Sequence, residues 1–129
     1  MIFKAFDINT KKEFELYVSI VEDENKDLIT IFTEYNEKKI IVSDEFHFGT
    51  LQKFRTKLIE DNVDLKCKGA LINVYPSPLM KFAPKAYSLK LGKQAEMDSV
   101  VEIYEYTDIS ESISPEKQNL FYRDWIKSL

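Results

Sequence analysis

Residues 13–21, EFELYVSIV, alternate without a break, with Phe14, Leu16, Val18 and Ile20 on one side and Glu13, Glu15, Tyr17 and Ser19 on the other. Period two over that length marks a half-buried antiparallel strand. It commits the chain to a sheet with one wet face and one apolar face, and other elements must cover the apolar one. The flanking segments agree. Residues 2–6 form a short apolar run that suits a first strand, followed by the turn-like Asn9-Thr10. Residues 22–27 read as a solvated loop, and LITIFTEY at 28–35 is β-branched and aromatic. Asn36-Glu37-Lys38 then turns the chain into a fourth strand at 39–42. A meander of hairpins is expected.

The period changes after Asp44. Leu51, Phe54, Leu58 and Ile59 recur at helical spacing, which predicts a helix over about 50–61 with Thr50 as its N-cap. A second helix is expected over about 115–128. Ser114 supplies a cap, Pro115 the first helical position and Glu116 an acid in the first turn. Phe121, Tyr122, Trp125, Ile126 and Leu129 would line its buried face.

Between the helices, 69–106 holds two of the three glycines and three of the four prolines. Residues 63–75 read as one long strand whose apolar phase switches at Gly69, from Leu65 and Cys67 to Ala70, Ile72 and Val74, which predicts a β-bulge or bend there. Pro76 and Pro78 take the chain off the sheet, and 79–82 suit one helical turn. Residues 85–91 are expected as a strand with Tyr87, Leu89 and Leu91 on one face, ending at Gly92. For 99–106, Met97, Val100, Val101 and Tyr104 also fit a helical face, but the β-branched and aromatic content favours a strand. That strand would turn Val101 and Ile103 inward, with Glu102, Tyr104 and Tyr106 outward. The expected fold is a single α+β domain over 1–129, a mainly antiparallel sheet of about six to eight strands with two principal helices.

A chain of 129 residues, 44% hydrophobic and 31% charged, can fold without staples and is too apolar for disorder. One cysteine makes no internal disulfide and fits a reducing compartment. No apolar run is long enough to cross a bilayer, and MIFKAFDINTKKEF lacks the features of a signal peptide. The expectation is a cytoplasmic protein with no membrane partner. The net charge of −4 argues against direct nucleic-acid binding.

Chemistry-bearing residues are sparse. His47 is the single histidine and the least poor candidate for a general base, but a partly buried or surface histidine before a helix is the simpler reading. Cys67 lies between Lys66 and Lys68, which would lower its pKa, yet it shares strand parity with Leu65, as a small core residue would. One histidine and one cysteine are too few for a structural zinc site. No phosphate-binding loop, dinucleotide fingerprint or nucleophile elbow is present. Lys81, Lys85, Lys90 and Lys93, with Phe82 and Tyr87, suit either RNA contact or a solvated sheet face, and the second is favoured. The expectation is a non-enzymatic protein with no cofactor, metal or catalytic residue.

The strongest functional signal is segment 94–116, with seven acidic residues and no lysine or arginine. It serves either as a solubility device or as a recognition face. On the second reading Glu102, Tyr104, Glu105, Tyr106, Asp108 and Glu111 form a partner-binding surface. Tyrosines there supply contact area, and carboxylates steer a basic partner.

Asn73-Val74-Tyr75-Pro76-Ser77, Met80, Lys85-Ala86-Tyr87, Leu89, Gly92 and Asp98-Ser99-Val100-Val101-Glu102-Ile103-Tyr104 form a pattern. It resembles one found in immunity proteins of bacterial contact-dependent growth inhibition and related polymorphic toxin systems. The similar stretch runs from 69 to 105. Pro78 and Lys81-Phe82-Ala83-Pro84 stand where a glycine-rich turn is expected. The resemblance implies a protein that binds and blocks a cognate toxin domain, often a nuclease, and needs no catalytic residue. The alternatives are an adaptor domain for another basic protein and a small carboxylate-using enzyme.

Overall fold

The computed structural model describes residues 1–80 and 82–129. The alternating run becomes β2 (Glu13–Asp23), between β1 (Ile2–Asp7) and β3 (Leu28–Tyr35), with β4 (Lys38–Asp44) beyond β3. Helix α1 (His47–Glu60) follows, then β5 (Val63–Leu65), β6 (Val74–Tyr75), β7 (Lys85–Ser88), β8 (Val100–Glu102) and α2 (Pro115–Ser128). Among the described residues these strands form two antiparallel sheets, one ordered β4-β3-β2-β1-β5 and the other β6-β7-β8. The fold is α+β, as expected.

The meander is held by its turns. Asp7 Oδ1 accepts the amides of Asn9 and Thr10 at 2.9 and 2.8 Å, and Asp23 Oδ1 accepts those of Asn25 and Lys26 at 3.1 and 3.3 Å. Between β3 and β4, Tyr35 pairs with Lys38. Asn36 and Glu37 are then a two-residue loop, and both have positive φ, 49° and 64°, as a type I′ turn demands. Leu16 and Val18 are buried on the inner face as the alternation predicts, with Phe14 and Ile20 half-buried beside them.

Helix α1 crosses that inner face. Leu51, Phe54 and Leu58 are buried with Phe3, Phe6, Leu16, Val18 and Ile31 in the main core. The helix begins at His47 rather than 50. Its N-cap position is Phe46, without a capping side chain, and Thr50 lies inside the helix with its hydroxyl donating to the Phe46 carbonyl at 2.7 Å. A threonine that spells a cap is satisfied just as well by a carbonyl one turn back.

Segment 63–75 is not one strand. It leaves the first sheet after β5, coils through a 3₁₀ turn at Lys68–Ala70 and joins the second sheet as β6. The phase switch at Gly69 marks this crossing, so no bulge is present. Glycine is required there because a Cβ would lie 2.5 Å from Leu51 Cδ2 and 3.0 Å from the Ile103 carbonyl. The helical turn expected at 79–82 is a 3₁₀ turn at Pro78–Met80, and its Lys81 lies outside the described residues.

The later strands are shorter than expected. β7 stops at Ser88 and buries Ala86, Leu91 lies exposed beyond it, and the chain turns at Gly92 with φ +80°. Segment 99–106 is strand only over β8, with a 3₁₀ turn at Met97–Ser99 before it. Its strand alternation ends in a turn at Ile103-Tyr104, after which Tyr106 forms an isolated bridge with Cys67, beyond the end of β5.

α2 starts as predicted, with Ser114 Oγ accepting from the Lys117 amide and Pro115 at N1. Its packing differs. Gln118 is its buried residue, Phe121, Tyr122 and Trp125 are half-buried, and Ile126 and Leu129 are exposed. The helix is held by an aromatic stack, with Tyr122 between Tyr75 at 4.1 Å and Trp125 at 5.9 Å. It is also held by a polar lock.

That lock is the Arg55–Asp64 ion pair, both side chains at most 1% exposed. Arg55 Nε and Nη2 donate to the two Asp64 oxygens at 2.9 and 2.8 Å, and Nη1 donates to Gln52 and Gln118 at 2.7 and 2.9 Å. Nη2 also donates to the Ile113 carbonyl. Asp64 further accepts from Ser112 Oγ and the Leu65 amide. Gln118 Nε2 in turn donates to the Gly69 and Leu71 carbonyls, both at 2.8 Å. Among the described residues every buried side-chain nitrogen and oxygen has a partner. One satisfied network thus ties α1, β5, the Gly69 turn and α2 together.

Candidate partner-binding surface

Five of the six residues expected to meet a partner are at the surface. Glu102 reaches Lys85 at 3.8 Å, Glu105 reaches Lys68 at 2.6 Å, Asp108 reaches Lys66 at 2.9 Å and Glu111 reaches Lys11 at 3.4 Å. Glu105, Tyr106 and Asp108 are brought together because their segment runs beside 66–68, through the Cys67–Tyr106 bridge and a hydrogen bond that the Lys68 amide donates to the Glu105 carbonyl. Glu102 lies on the second sheet and Glu111 opposite the β1–β2 turn. The segment that holds no cation of its own therefore faces lysines from elsewhere in the chain, and its acidity is locally offset.

Lys66 organises part of this surface. Its ammonium is mostly buried, stands 5.6 Å from the centre of the Phe6 ring and donates to both Glu13 and Asp108. Hydrogen bonds to Glu13 and then Asp108 push its pKa up, and the same bond from Lys66 holds Asp108 below the usual carboxylate range.

Tyr104 is a correction. It was expected outward beside Glu102 and Tyr106, but the turn at Ile103-Tyr104 swings it inward. Its ring packs edge-on against Phe3 at 6.1 Å and His47 at 5.5 Å. Its hydroxyl lies 2.6 Å from His47 Nδ1, while His47 Nε2 lies 2.5 Å from Glu22 Oε1. This geometry suits an Nε2–H tautomer donating to Glu22 and accepting from Tyr104. Burial raises the Tyr104 phenol above its ordinary pKa. Both ring nitrogens of the buried His47 are engaged, which matches a structural histidine more closely than a base facing substrate. Tyr106, by contrast, is 53% exposed and borders a shallow cleft of about 260 Å³ with Ile2, Lys4 and Glu15.

Cys67 is fully buried, and burial pushes its thiol up to about 12, so it is an inert core residue despite its lysine neighbours. Among the described residues no group of three His, Cys, Asp or Glu side chains is placed to hold a metal ion. No helix among them is long and apolar enough to cross a membrane. Of the basic group, Lys85 is tied to Glu102, Lys90 and Lys93 are exposed, and Lys81 lies outside the described residues.

A second surface was not anticipated. The β2–β3 turn, the entry to α1 and Phe82 enclose a cleft of about 560 Å³. Its acids include Glu22-Asp23-Glu24, which in sequence form part of an ordinary solvated loop; nothing along the chain marks their approach to Glu45, Phe46 and Phe82.

Comparison with protein-family models finds no match, and comparison with curated proteins finds none either.

Proposed function

We propose that this protein is an immunity protein that binds a cognate toxin domain, a nuclease, in the cytoplasm and neutralises it by covering the toxin's basic active site. The observation that carries the reading is Tyr106, exposed between Glu105 and Asp108, whose carboxylates are positioned by Lys68 and Lys66. The Lys68–Glu105 pair is partly exposed, and pairs of that kind contribute at most about 1 kcal/mol. A partner's arginine can therefore share or replace Lys68 without a large loss, whereas the exposed Asp108 carboxylate, held by the mostly buried Lys66, can be shared but keeps its lysine. The sequence resemblance over 69–105 supports the same reading. That stretch forms the Gly69 crossing and the second sheet, a scaffold on which the recognition residues are displayed.

The test is co-expression with the product of the neighbouring gene, scored as rescue from toxicity, followed by association kinetics on the purified pair. Charge reversal at Glu102, Asp108 and Glu111 should slow association and flatten its salt dependence, with circular dichroism unchanged. Failure to rescue cells from that gene's product would sink the immunity reading.

A further inference from the structure

We propose that the cleft between the β2–β3 turn and the start of α1 receives a basic segment of a protein partner, with an arginine side chain as its anchor. The proposal rests on the immunity reading for the partner's identity, while the chemistry of the cleft stands apart from it.

Surface carboxylates alone are usually just solvated. Here they rim a cleft with apolar walls, supplied by Leu28, Ile29, Phe46 and Phe82. Its volume of about 560 Å³ lies within the ~300–1,000 Å³ range of clefts that hold ligands. Phe82 is 82% exposed, and its ring meets Phe46 edge-on at 5.6 Å, so an aromatic face is held out at the mouth. Aromatic residues are enriched at the cores of protein interfaces. Around it stand Glu22, Asp23, Glu24, Asp27 and Glu45, and among the described residues that line the cleft Lys26 is the one cation.

The ion pairing of these acids separates this cleft from the 102–111 surface. There, four carboxylates each face a lysine of the chain. Here, Glu24, Asp27 and Glu45 have no ion-pair partner among the described residues. Glu22 is fixed by the buried His47, and Asp23 by the turn amides it accepts. An unbalanced, partly preorganised set of acceptors beside an aromatic ring matches a guanidinium, which takes carboxylates on its edge and a ring on its face. A lysine would fill the charge but not the planar geometry, and an acidic or nucleic-acid partner would be repelled.

The probe is an acetylated, amidated tetra-arginine peptide, titrated into the full-length protein and followed by amide NMR shifts. Saturable shifts should centre on 22–29 and 45–46. The triple variant Glu24→Gln/Asp27→Asn/Glu45→Gln leaves Glu22 and Asp23 in their structural roles and should weaken binding about tenfold. Phe82→Leu should weaken it severalfold, and Glu105→Gln/Asp108→Asn should leave it nearly unchanged. Shifts centred on 102–111, or equal binding by the triple variant, would overturn the proposal. Rescue from the toxin with the triple variant at full affinity would remove the cleft and leave the immunity reading standing. Cleft binding of the peptide without any rescue would leave the cleft and remove the immunity reading.

Discussion

Replacing Asp64 by alanine tests the polar lock directly. The carboxylate receives four hydrogen bonds, two from Arg55 at 2.9 and 2.8 Å, one from Ser112 at 2.6 Å and one from the Leu65 amide at 2.7 Å. Without it, the Arg55 guanidinium remains fully buried with only amide and carbonyl oxygens around it. Breaking one side of a buried pair costs about 3–5 kcal/mol, chiefly the penalty of an uncompensated charge. Against the ~5–15 kcal/mol that holds a domain of this kind together, that is a large fraction. Urea unfolding, followed by circular dichroism and by the fluorescence of Trp125 on α2, measures the loss. The double variant Arg55→Met/Asp64→Leu should be milder than the sum of its parts, with a coupling of about 1–3 kcal/mol, because neither charge is then left bare. A loss below about 1 kcal/mol for Asp64→Ala, at unchanged denaturant slope, would refute the account of Arg55 as a charge that depends on Asp64.

The other expectations concern the Gly69 crossing and two titrating groups. Gly69→Ala places a methyl 2.5 Å from Leu51 Cδ2 and 3.0 Å from a backbone oxygen that cannot rotate away, so thermal melts should show a loss of about 1–3 kcal/mol. The Cys67 thiol is favoured in its neutral form by the fold, so its contribution is intact below the unfolded thiol's pKa and declines as pH rises towards about 12. Urea unfolding at pH 8 and pH 10 should reveal an extra loss on the order of 2 kcal/mol in the wild type relative to Cys67→Ala. Asp108 behaves oppositely. Its lowered pKa means that the Lys66 contact persists above the ordinary carboxylate range and is lost as pH falls through the folded value. In Lys66→Met the Asp108 carboxyl should titrate at an ordinary value by NMR.

The meander was legible because its strands are long enough to show their period. β3 coincides end to end with LITIFTEY, and β2 only outruns its alternating core by two residues. The second sheet was not, since β6, β7 and β8 have two, four and three residues, too few to display an alternation. What sets their pairing is the Gly69 crossing and the turn at Ile103-Tyr104, and that turn is also what misplaced Tyr104. Arg55 carries a signal of its own in the sequence. It sits among Leu51, Phe54 and Leu58 on the apolar stripe of α1, and a charge there needs a buried partner. Gln118 sent the same signal within α2, one turn before Tyr122. The acidic residues at 102–111 were correctly placed at the surface, but their lysines come from residues 11, 66, 68 and 85, a pairing only the fold creates.

The lock formed by Arg55 and Gln118 also orders events in time. The two residues are 63 positions apart, and Gln118 reaches back 49 positions to the Gly69 carbonyl. Hairpins β1 to β4 close short loops, whereas this clamp closes one of the longest, and long closures come late in a conformational search. A chain with its first sheet built therefore carries an incompletely satisfied guanidinium until α2 docks. The seating of the Gln118 amide is therefore expected among the late steps of folding. Native-state hydrogen exchange should show it in reverse, with α2 amides released at a lower opening free energy than those of β1–β3.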